Sequence, residues 1–473
     1  MMNRRSFLKL AAMSGLTAMM PPLFQTRHAW AALPDTIQYL APDVQPTIIH
    51  VFLYGGPSEL AGNLSNIADI NANSQNAYPS SLDPDNSEND ITRNAFWGEA
   101  GGNIMETLLY SGNLSIYRTI NRIKADTKDH GTSVTQNLVG GLDVYGPGIA
   151  TTLAAILERV NPSGIEELVM PFVSFEGESR VFNLGDLNPS LVLRPMNLNE
   201  NFYNPYERRV YWHLDGGEGD TNDVKLEAMA RDVSALNAPR HAKVEESFLK
   251  REELETYIQE HFNEEAVEGS IPVDPDTGEP IVYPDNSFGA KLKAAVSLAV
   301  NNPDTVFISL GSGGLGGWDD HSGGIDDYPS RMQGLFEALE AGTKHLRVAY
   351  EDQGITSAGS VVINVFGDFG RNVNLNNSMG WDHGNNQNFY TLGGWGIDGR
   401  AMGKLVGRTE RIGTPFQNRQ FTSPTADSYQ CEPFSIASTI FKYFGVQNPE
   451  VLTGEPAIDE SGTDDEKKEQ TEN

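Results

Sequence analysis

The sequence predicts an α/β protein with a mainly parallel central sheet flanked by helices, and with an inserted, mostly helical lobe. Two observations favour this fold class: short apolar runs rich in β-branched and aromatic residues, and helical patterns between those runs. The runs occupy residues 46–54, 114–120, 168–175, 305–310 and 360–366. Strands of a parallel sheet are buried on both faces and need helical crossovers, so continuous apolar runs that alternate with helices are typical of it.

The first predicted strand, PTIIHVFLY, is closed by Gly55 and Gly56, as a buried strand that ends in a turn would be. Helices are predicted where apolar side chains recur every three or four positions. The clearest cases are residues 288–299, 332–349 and 434–444. The last helix is expected to stop at Gly445, a residue that tolerates the backbone of a helix C-terminus.

Shifts in composition divide the chain into segments. Residues 1–31 are predicted to be a twin-arginine signal peptide and residues 32–453 an α/β domain. Within that domain, residues 197–283 become Asn- and Tyr-rich and then strongly charged with helical character, which predicts the inserted lobe. Residues 454–473 are acidic, so we expect a disordered tail.

The first 31 residues have the order of an export signal. Arg4 and Arg5 lie in the string NRRSFLK, an apolar stretch follows, and Ala29 and Ala31 offer a small-residue cleavage site. The alternative is a chance arginine pair before a buried helix. The apolar stretch breaks at Pro21, far short of the roughly 20 residues that span a bilayer. We expect the twin-arginine translocase as a partner, a periplasmic or secreted location, and no membrane anchor after cleavage.

The composition is strongly acidic, with a net charge of −30. Such a surface repels nucleic acid and anionic lipid, so nucleic acid is not an expected partner. Solubility alone would explain the charge. An anionic substrate, in contrast, would have to be met by local cations such as bound metals. Because the twin-arginine route carries folded proteins, often with a metal loaded, a metalloprotein is favoured.

Two short clusters place Asp beside His soon after a predicted strand. They are GWDDH at residues 317–321 and GWDHG at residues 380–384. Carboxylates and imidazoles are common ligands of divalent metals, and loops at the carboxyl edge of a parallel sheet bring distant residues together. Both clusters could therefore serve one metal site. The alternative is that each Asp caps a turn and each His makes local hydrogen bonds.

A nucleophile and an anion-binding group are also expected. Thr132 and Ser133 follow His130 at the predicted start of a helix, where the helix dipole favours an anion, with simple helix capping as the alternative. His130 could be a ligand, an acid or base, or a structural histidine. Arg371 could hold an anionic oxygen through paired hydrogen bonds, or form an ion pair with Asp368.

The order of the motifs along the chain carries a family resemblance. The motifs are FLYGGPS at 52–58, DHGTSVTQ at 129–136, FGAKLKAAVSLA at 288–299, GGWDDH at 316–321, FGDFGR at 366–371 and WDHG at 381–384. With the signal, they resemble the twin-arginine-exported proteins of unknown function that form an outlying branch of the alkaline phosphatase and sulfatase superfamily. The resemblance covers most of the chain after the signal and implies that residues 32–453 form an alkaline-phosphatase-like α/β domain.

In that superfamily an Asp after the first strand, an Asp/His pair, an Asp-His dipeptide and a further His bind one or two divalent metals. The resemblance implies Asp382 and His383 as the dipeptide, and Asp319 and His321 as the earlier pair. Such metals would offset the charge of a phosphoryl or sulfuryl group and activate a hydroxyl nucleophile. The first strand is followed by Glu59 instead of an Asp, which leaves Glu59 as the candidate ligand there.

The sequence therefore predicts a secreted metal-dependent hydrolase of phosphate or sulfate esters, with a small anionic ester as substrate and zinc, calcium or manganese as its metal. The alternative is a catalytically degenerate member of the superfamily. Such a protein would act in the periplasm or at the cell surface as a binding protein, for example for a surface glycan. The missing Asp after the first strand supports this alternative. In addition, no histidine follows His383, so the last imidazole of the family's fuller metal sets is missing.

Overall fold

The computed structural model describes most of the chain between residues 33 and 469. Outside the description lie residues 1–32, 74–75, 83–89, 126, 162–167, 188, 190–195, 414–418 and 470–473, and, from 201 to 263, all but 202, 229, 231–233, 235–236, 257–258 and 260–262. The predicted signal peptide at 1–31 falls entirely outside the described residues. The predicted lobe at 197–283 falls largely outside them.

The centre of the molecule is a mixed sheet in which most strands are parallel. Its strands are β1 (Thr47–Leu53), β2 (Leu114–Asn121), β3 (Phe172–Ser174), β4 (Met196–Asn197), β5 (Phe307–Gly311), β6 (Val361–Gly367), β7 (Asn386–Gly393) and β8 (Leu405–Val406). The strand order is β4-β3-β5-β1-β6-β7-β2-β8, and only β7 runs against its neighbours. The predicted α/β fold with a mainly parallel sheet is confirmed. A separate antiparallel pair is formed by β9 (Thr409–Gly413) and β10 (Gln420–Pro424).

Helices cover both faces of the sheet. They are α1 (Ile67–Asn73), α2 (Gly102–Tyr110), α3 (His130–Val139), α4 (Ile149–Val160), α5 (Glu264–Ser270), α6 (Ser287–Asn301), α7 (Gly324–Glu351), α8 (Phe434–Tyr443) and α9 (Glu450–Thr453). The three helices predicted from apolar periodicity are confirmed as parts of α6, α7 and α8. Among the described helices, none is both long and apolar enough to cross a membrane.

The central strand β1 shows why the predicted strands read as continuous apolar runs. Ile49 and Val51 point into a core shared with α2, α6 and α7, whereas Ile48 and Phe52 point into a second core with α4 and α8. Because successive side chains of a strand face opposite sides, both sets of positions must be apolar when both faces are covered.

The acidic segment that begins at residue 454 makes defined contacts within its described part, residues 454–469. Glu460 forms a buried ion pair with Arg400 at 2.7 Å. The backbone N–H of Glu466 donates to the carbonyl oxygen of Leu405 in β8 at 2.7 Å. The segment thus lies along the edge of the sheet, where its carboxylates and backbone find partners that its own composition does not reveal.

Candidate metal centre

The polar side chains singled out by the sequence meet at the carboxyl edge of the sheet. The loop after β5 carries Asp319 and His321, and the turn after β6 carries Asp368 and Arg371. His130 is the first residue of α3. His383 precedes β7, and Tyr54 directly follows β1 as the first residue of a turn. Ligands of α/β proteins commonly bind at this edge, because the loops after parallel strands all open there.

The two Asp-His clusters are joined by backbone hydrogen bonds. The N–H of Trp381 donates to the carbonyl of Asp320 at 2.7 Å. Arg371 and His383 form an isolated antiparallel bridge, and the N–H of Gly384 donates to the carbonyl of Gly370 at 2.7 Å. These bonds fix the second cluster against both the first cluster and the turn after β6.

Gly55 allows the turn after β1 to pass close to the clusters. Its φ angle is +114°, and a Cβ atom there would lie 2.6 Å from the backbone nitrogen of Asp319. Its N–H lies 3.2 Å from both carboxylate oxygens of Asp368. A side chain at this position would be strained and would collide with the cluster loop, so the sequence requires glycine here.

Four side chains converge with one ligand atom each: the Nε2 atoms of His130, His321 and His383 and an oxygen of Asp319, all within 4.8 Å of one another. The Nε2 atom of His383 lies 3.1 Å from that of His130 and 2.9 Å from that of His321. Asp319 Oδ1 lies 3.2 Å from the Nε2 atoms of His130 and His321 and 4.0 Å from that of His383.

This spacing fits a small divalent ion. Tetrahedral ligands at roughly 2.0–2.1 Å from zinc stand about 3.3–3.4 Å from one another. The five distances above scatter around that value, from 2.9 to 4.0 Å. The side chains of the four residues are between 24% and 51% exposed, so solvent reaches the centre.

Each imidazole is held from behind through Nδ1. His383 Nδ1 lies 2.7 Å from the carbonyl oxygen of Lys128, His130 Nδ1 lies 2.8 Å from Asp368 Oδ2, and His321 Nδ1 lies 3.3 Å from Asp382 Oδ1. A carbonyl can only accept, so Nδ1 of His383 carries the proton and Nε2 presents a lone pair. Lone pairs that face each other at about 3 Å repel unless a proton or a metal ion lies between them, and a metal ion is the one that can bind all four donors at once, so this donor set fits a metal.

The charges around the centre act on its titratable groups. Burial, followed by the nearby positive charge of Arg371, lowers the pKa of His383 to about 4, which keeps its ring neutral. The hydrogen bond from His130 to Asp368 raises the pKa of His130. Burial alone would raise the pKa of Asp319, but its hydrogen bond and charge contact with Arg371 outweigh burial and lower it. Asp319 is therefore an anion at neutral pH.

Arg371 organises the loops and has little capacity left for a substrate. Its side chain is fully buried, and Nη2 lies 2.7 Å from Asp319 Oδ1. Nε donates to the carbonyl of Gly56 at 2.7 Å, and Nη1 donates to that of Trp381 at 3.2 Å. Further donations from Nη2 reach the carbonyls of Gly55 and Trp318. The ion pair expected with Asp368 is replaced by the pair with Asp319.

The two hydroxyl side chains proposed as nucleophiles serve the start of α3. The carboxylate of Asp129 accepts from the backbone N–H of Thr132 at 2.8 Å and from its hydroxyl group. Ser133 is buried, and its hydroxyl donates to the carbonyl of Thr127 at 3.2 Å. Asp129 is therefore the N-cap of α3, and both hydroxyl groups are engaged in local hydrogen bonds.

Asp382 and Glu59 lie outside the group of four. Asp382 contacts the outer nitrogen of His321, and its other oxygen lies 3.7 Å from Arg419. Glu59 is buried beneath the edge of the sheet, where its carboxylate accepts a hydrogen bond from Thr422. Burial raises the pKa of Glu59 to about 8, so this carboxyl is largely protonated at neutral pH.

The structure gives two residues a role that the sequence did not predict. His130, expected among the catalytic residues, takes the ligand position expected of Asp382. Asp368, expected only as a partner of Arg371, supports His130 instead. Asp368 could have been found from its position directly after β6, because side chains that follow parallel strands lie at the same edge of the sheet.

The fold and the site together define an α/β protein with a candidate metal centre of three imidazoles and one carboxylate. The profile of a family described as "Protein of unknown function (DUF1501)" matches residues 221–447, just under half of the chain. A search of the curated proteins finds no match. Similar solved structures include that of an alkaline phosphatase from the Antarctic bacterium TAB5, with 11% identity over 74% of this chain and 92% of that chain, at a TM-score of 0.29.

Proposed function

We propose that the protein is a metal-dependent hydrolase of phosphate or sulfate esters. The observation that supports this most directly is the convergence of three Nε2 atoms and one carboxylate oxygen, with every imidazole held through Nδ1. A divalent ion bound there would offset the negative charge of the ester group and lower the pKa of a water molecule.

The surrounding chain makes this edge of the sheet a place for an anion. As metal ligands the three imidazoles would be neutral, and a divalent ion with Arg371 and Arg419 would face the carboxylates of Asp319, Asp368 and Asp382, which leaves an excess of one positive charge (+4 against −3). The guanidinium of Arg371 lies directly behind Asp319. In a chain with a net charge of −30, this local excess of positive charge would favour an anionic ester.

The two candidate hydroxyl groups are already engaged in hydrogen bonds, and this bears on the kind of nucleophile. The hydroxyl of Thr132 donates a hydrogen bond to Asp129, and the hydroxyl of Ser133 donates one to the carbonyl of Thr127. We therefore favour direct hydrolysis by water over a covalent intermediate on either residue.

The same observation favours a second candidate function, that of a binding protein that keeps the metal but not turnover. In that case the centre would hold an anionic ester or a surface glycan without cleaving it. The two functions predict the same metal content and differ in turnover.

The test is metal analysis of the purified chain, followed by assays with 4-nitrophenyl phosphate, bis(4-nitrophenyl) phosphate and 4-nitrophenyl sulfate. We expect about one divalent ion per chain, lost in His321→Ala and kept in the control His261→Ala, an exposed histidine outside the cluster. Turnover that follows the metal content supports the hydrolase. Metal without turnover supports the binding protein, and absence of the metal contradicts both.

We also propose that the chain is exported by the twin-arginine route to the periplasm or beyond, on the basis of the string NRRSFLK. Replacement of Arg4 and Arg5 by lysine in the full-length chain should retain the protein in the cytoplasm. The two forms are compared by cell fractionation and immunoblotting. An equal distribution of both forms would contradict the proposal.

A further inference from the structure

A pocket of about 370 Å³ opens beside the metal centre, between α3 and the ends of β1 and β5. Val134 and Leu138 of α3 and the ring of Tyr54 form its apolar wall. Lys291 of α6 and Arg180 bring positive charge to it. We refer to this cavity as the side pocket.

Three residues that line the side pocket are connected to the loops and the helix that carry the metal centre. Tyr54 precedes the residue whose N–H approaches Asp368 at 3.2 Å. Arg180 donates to the carbonyl of Gly131, the neighbour of His130, at 3.1 Å. Ser312 accepts a hydrogen bond at 2.9 Å from the indole of Trp318, which precedes Asp319. These contacts place the pocket at the same edge of the sheet as the centre, and its lining includes none of the four converging residues.

The positive charge of Lys291 is largely uncommitted. Within the part of the chain that the structure describes, its ammonium group makes no hydrogen bond and no ion pair shorter than 4 Å, and it feels the charge of Glu176 from a greater distance. The carboxylate of Glu176 is itself engaged by the hydroxyls of Ser309, Ser179 and Tyr54. Half-buried cations without a partner are costly in a protein interior, and they are well suited to bind an anion.

Arg180 adds a second positive group at the mouth of the pocket. One of its nitrogens is used by Gly131, while the side chain as a whole is exposed and has further donors to offer. Glu178 also lies at the mouth and is exposed, so its charge is well solvated. An anion deeper in the pocket would meet Lys291 first.

We infer that the side pocket binds a second anionic group, carried by the alcohol portion of the ester whose phosphate or sulfate lies at the metal centre. This inference rests on the proposed function for the position of the ester group. It defines the substrate class as esters of hydroxy compounds that bear a carboxylate or a second phosphate or sulfate, attached through an apolar segment that fits against Val134 and Leu138.

The inference is tested by calorimetric binding of three non-hydrolysable ligands to the metal-loaded full-length chain: benzylphosphonate and its 3-carboxy and 4-carboxy derivatives. A charge-assisted hydrogen bond to Lys291 should make at least one carboxylated ligand bind roughly tenfold tighter than benzylphosphonate. Lys291→Met should remove this preference. The matched control is Lys293→Met on the same helix, which removes a surface ion pair with Glu268 and should keep the preference.

Equal affinities of the three ligands for the native protein would overturn the inference, as would a preference that survives in Lys291→Met, or no binding of any ligand. Should Lys291→Met fail to fold, Arg180→Met is expected to reduce the preference in the same direction. Because the ligands cannot be cleaved, failure of the ester assays with a normal preference in this experiment would reject the hydrolase and leave the side pocket in place.

Discussion

Two histidines of this molecule, His383 at the sheet edge and His50 within β1, are both buried enough to remain neutral, yet their surroundings differ. Burial lowers the pKa of His383 to about 4 and that of His50 to about 3. His383 has a carbonyl behind Nδ1 and two imidazole nitrogens in front of Nε2. Among the described residues, His50 has no hydrogen-bond partner at either nitrogen, and its ring lies among those of Phe307 and Phe366.

The difference shows that a shifted pKa does not identify a functional histidine. Desolvation lowers the pKa of both rings, and it acts in the same way in a hydrophobic core and at a metal centre. Of these two regions, the one around His383 combines hydrogen bonds to the outer nitrogens with convergence of several ligand atoms at the inner nitrogens. The predictions below test whether this geometry, and not burial, separates the two regions.

The largest expected effect is the loss of metal in His383→Ala. Removal of one of four converging donors should weaken metal affinity by more than about 100-fold, since even the partners of ligands contribute 10- to 100-fold. Affinity is measured by competition with a chromogenic chelator. His50→Leu serves as the control and should retain native affinity. If both variants lost metal affinity equally, the convergence of ligand atoms at His383 would not explain metal binding.

A smaller loss is expected for Asp368→Asn. The carboxylate of Asp368 is buried, accepts the Nδ1 proton of His130 at 2.8 Å and contacts the turn after β1. An amide keeps the shape but weakens the support of the ring, so metal affinity should fall by about 10- to 100-fold. The same chelator competition measures it, together with the near-UV circular dichroism of the metal-free protein as a check of the fold. Unchanged affinity would remove Asp368 from the centre.

Much of the fold could be predicted because its strands are buried on both faces. The runs that contain β1 and β6 are predominantly apolar on both faces for this reason. The contacts of the C-terminal segment could not be predicted, because its acidic composition suggests disorder. Its partners lie elsewhere in the chain; Arg400, which pairs with Glu460, is 60 residues away in the sequence.

The candidate site was predictable in its location more than in its ligand set. Asp319, His321 and His383 follow strands whose carboxyl ends share an edge, so their proximity could be expected. Whether Asp382 or His130 belongs to the ligand set depends on the direction in which each side chain points. The bridge between Arg371 and His383 sets that direction, and residue types alone do not encode it.

The third prediction concerns stability and is confined to His50. The unfolded ring has a pKa of about 6.5, whereas the folded ring has a pKa of about 3, so between these values only the unfolded chain takes up a proton. The stability contributed by the neutral ring is therefore complete above about pH 6.5 and is lost as the pH falls through that window. The penalty reaches about 2 kcal/mol at pH 5.

His50→Leu should abolish that penalty. Urea unfolding of the metal-free native protein and of the variant at pH 7.5 and pH 5 measures it as a difference of differences. Since both proteins share all other titrating groups, those groups cancel in the comparison. An identical loss of stability on acidification in both proteins would contradict the burial of an unpartnered His50 ring.

The smallest effect is expected for Asp382→Asn, and it decides between the ligand set expected from the sequence and that of the structure. As a direct ligand, Asp382 would be as important as His383, and its loss would weaken metal affinity by more than about 100-fold. As a partner of the outer nitrogen of His321, at 3.3 Å and with a side chain 32% exposed, it is screened by solvent, so less than about tenfold is expected. Asp368, buried and closer to its histidine, is the matched comparison. A larger loss in Asp382→Asn than in Asp368→Asn would return Asp382 to the metal and move His130 out of it.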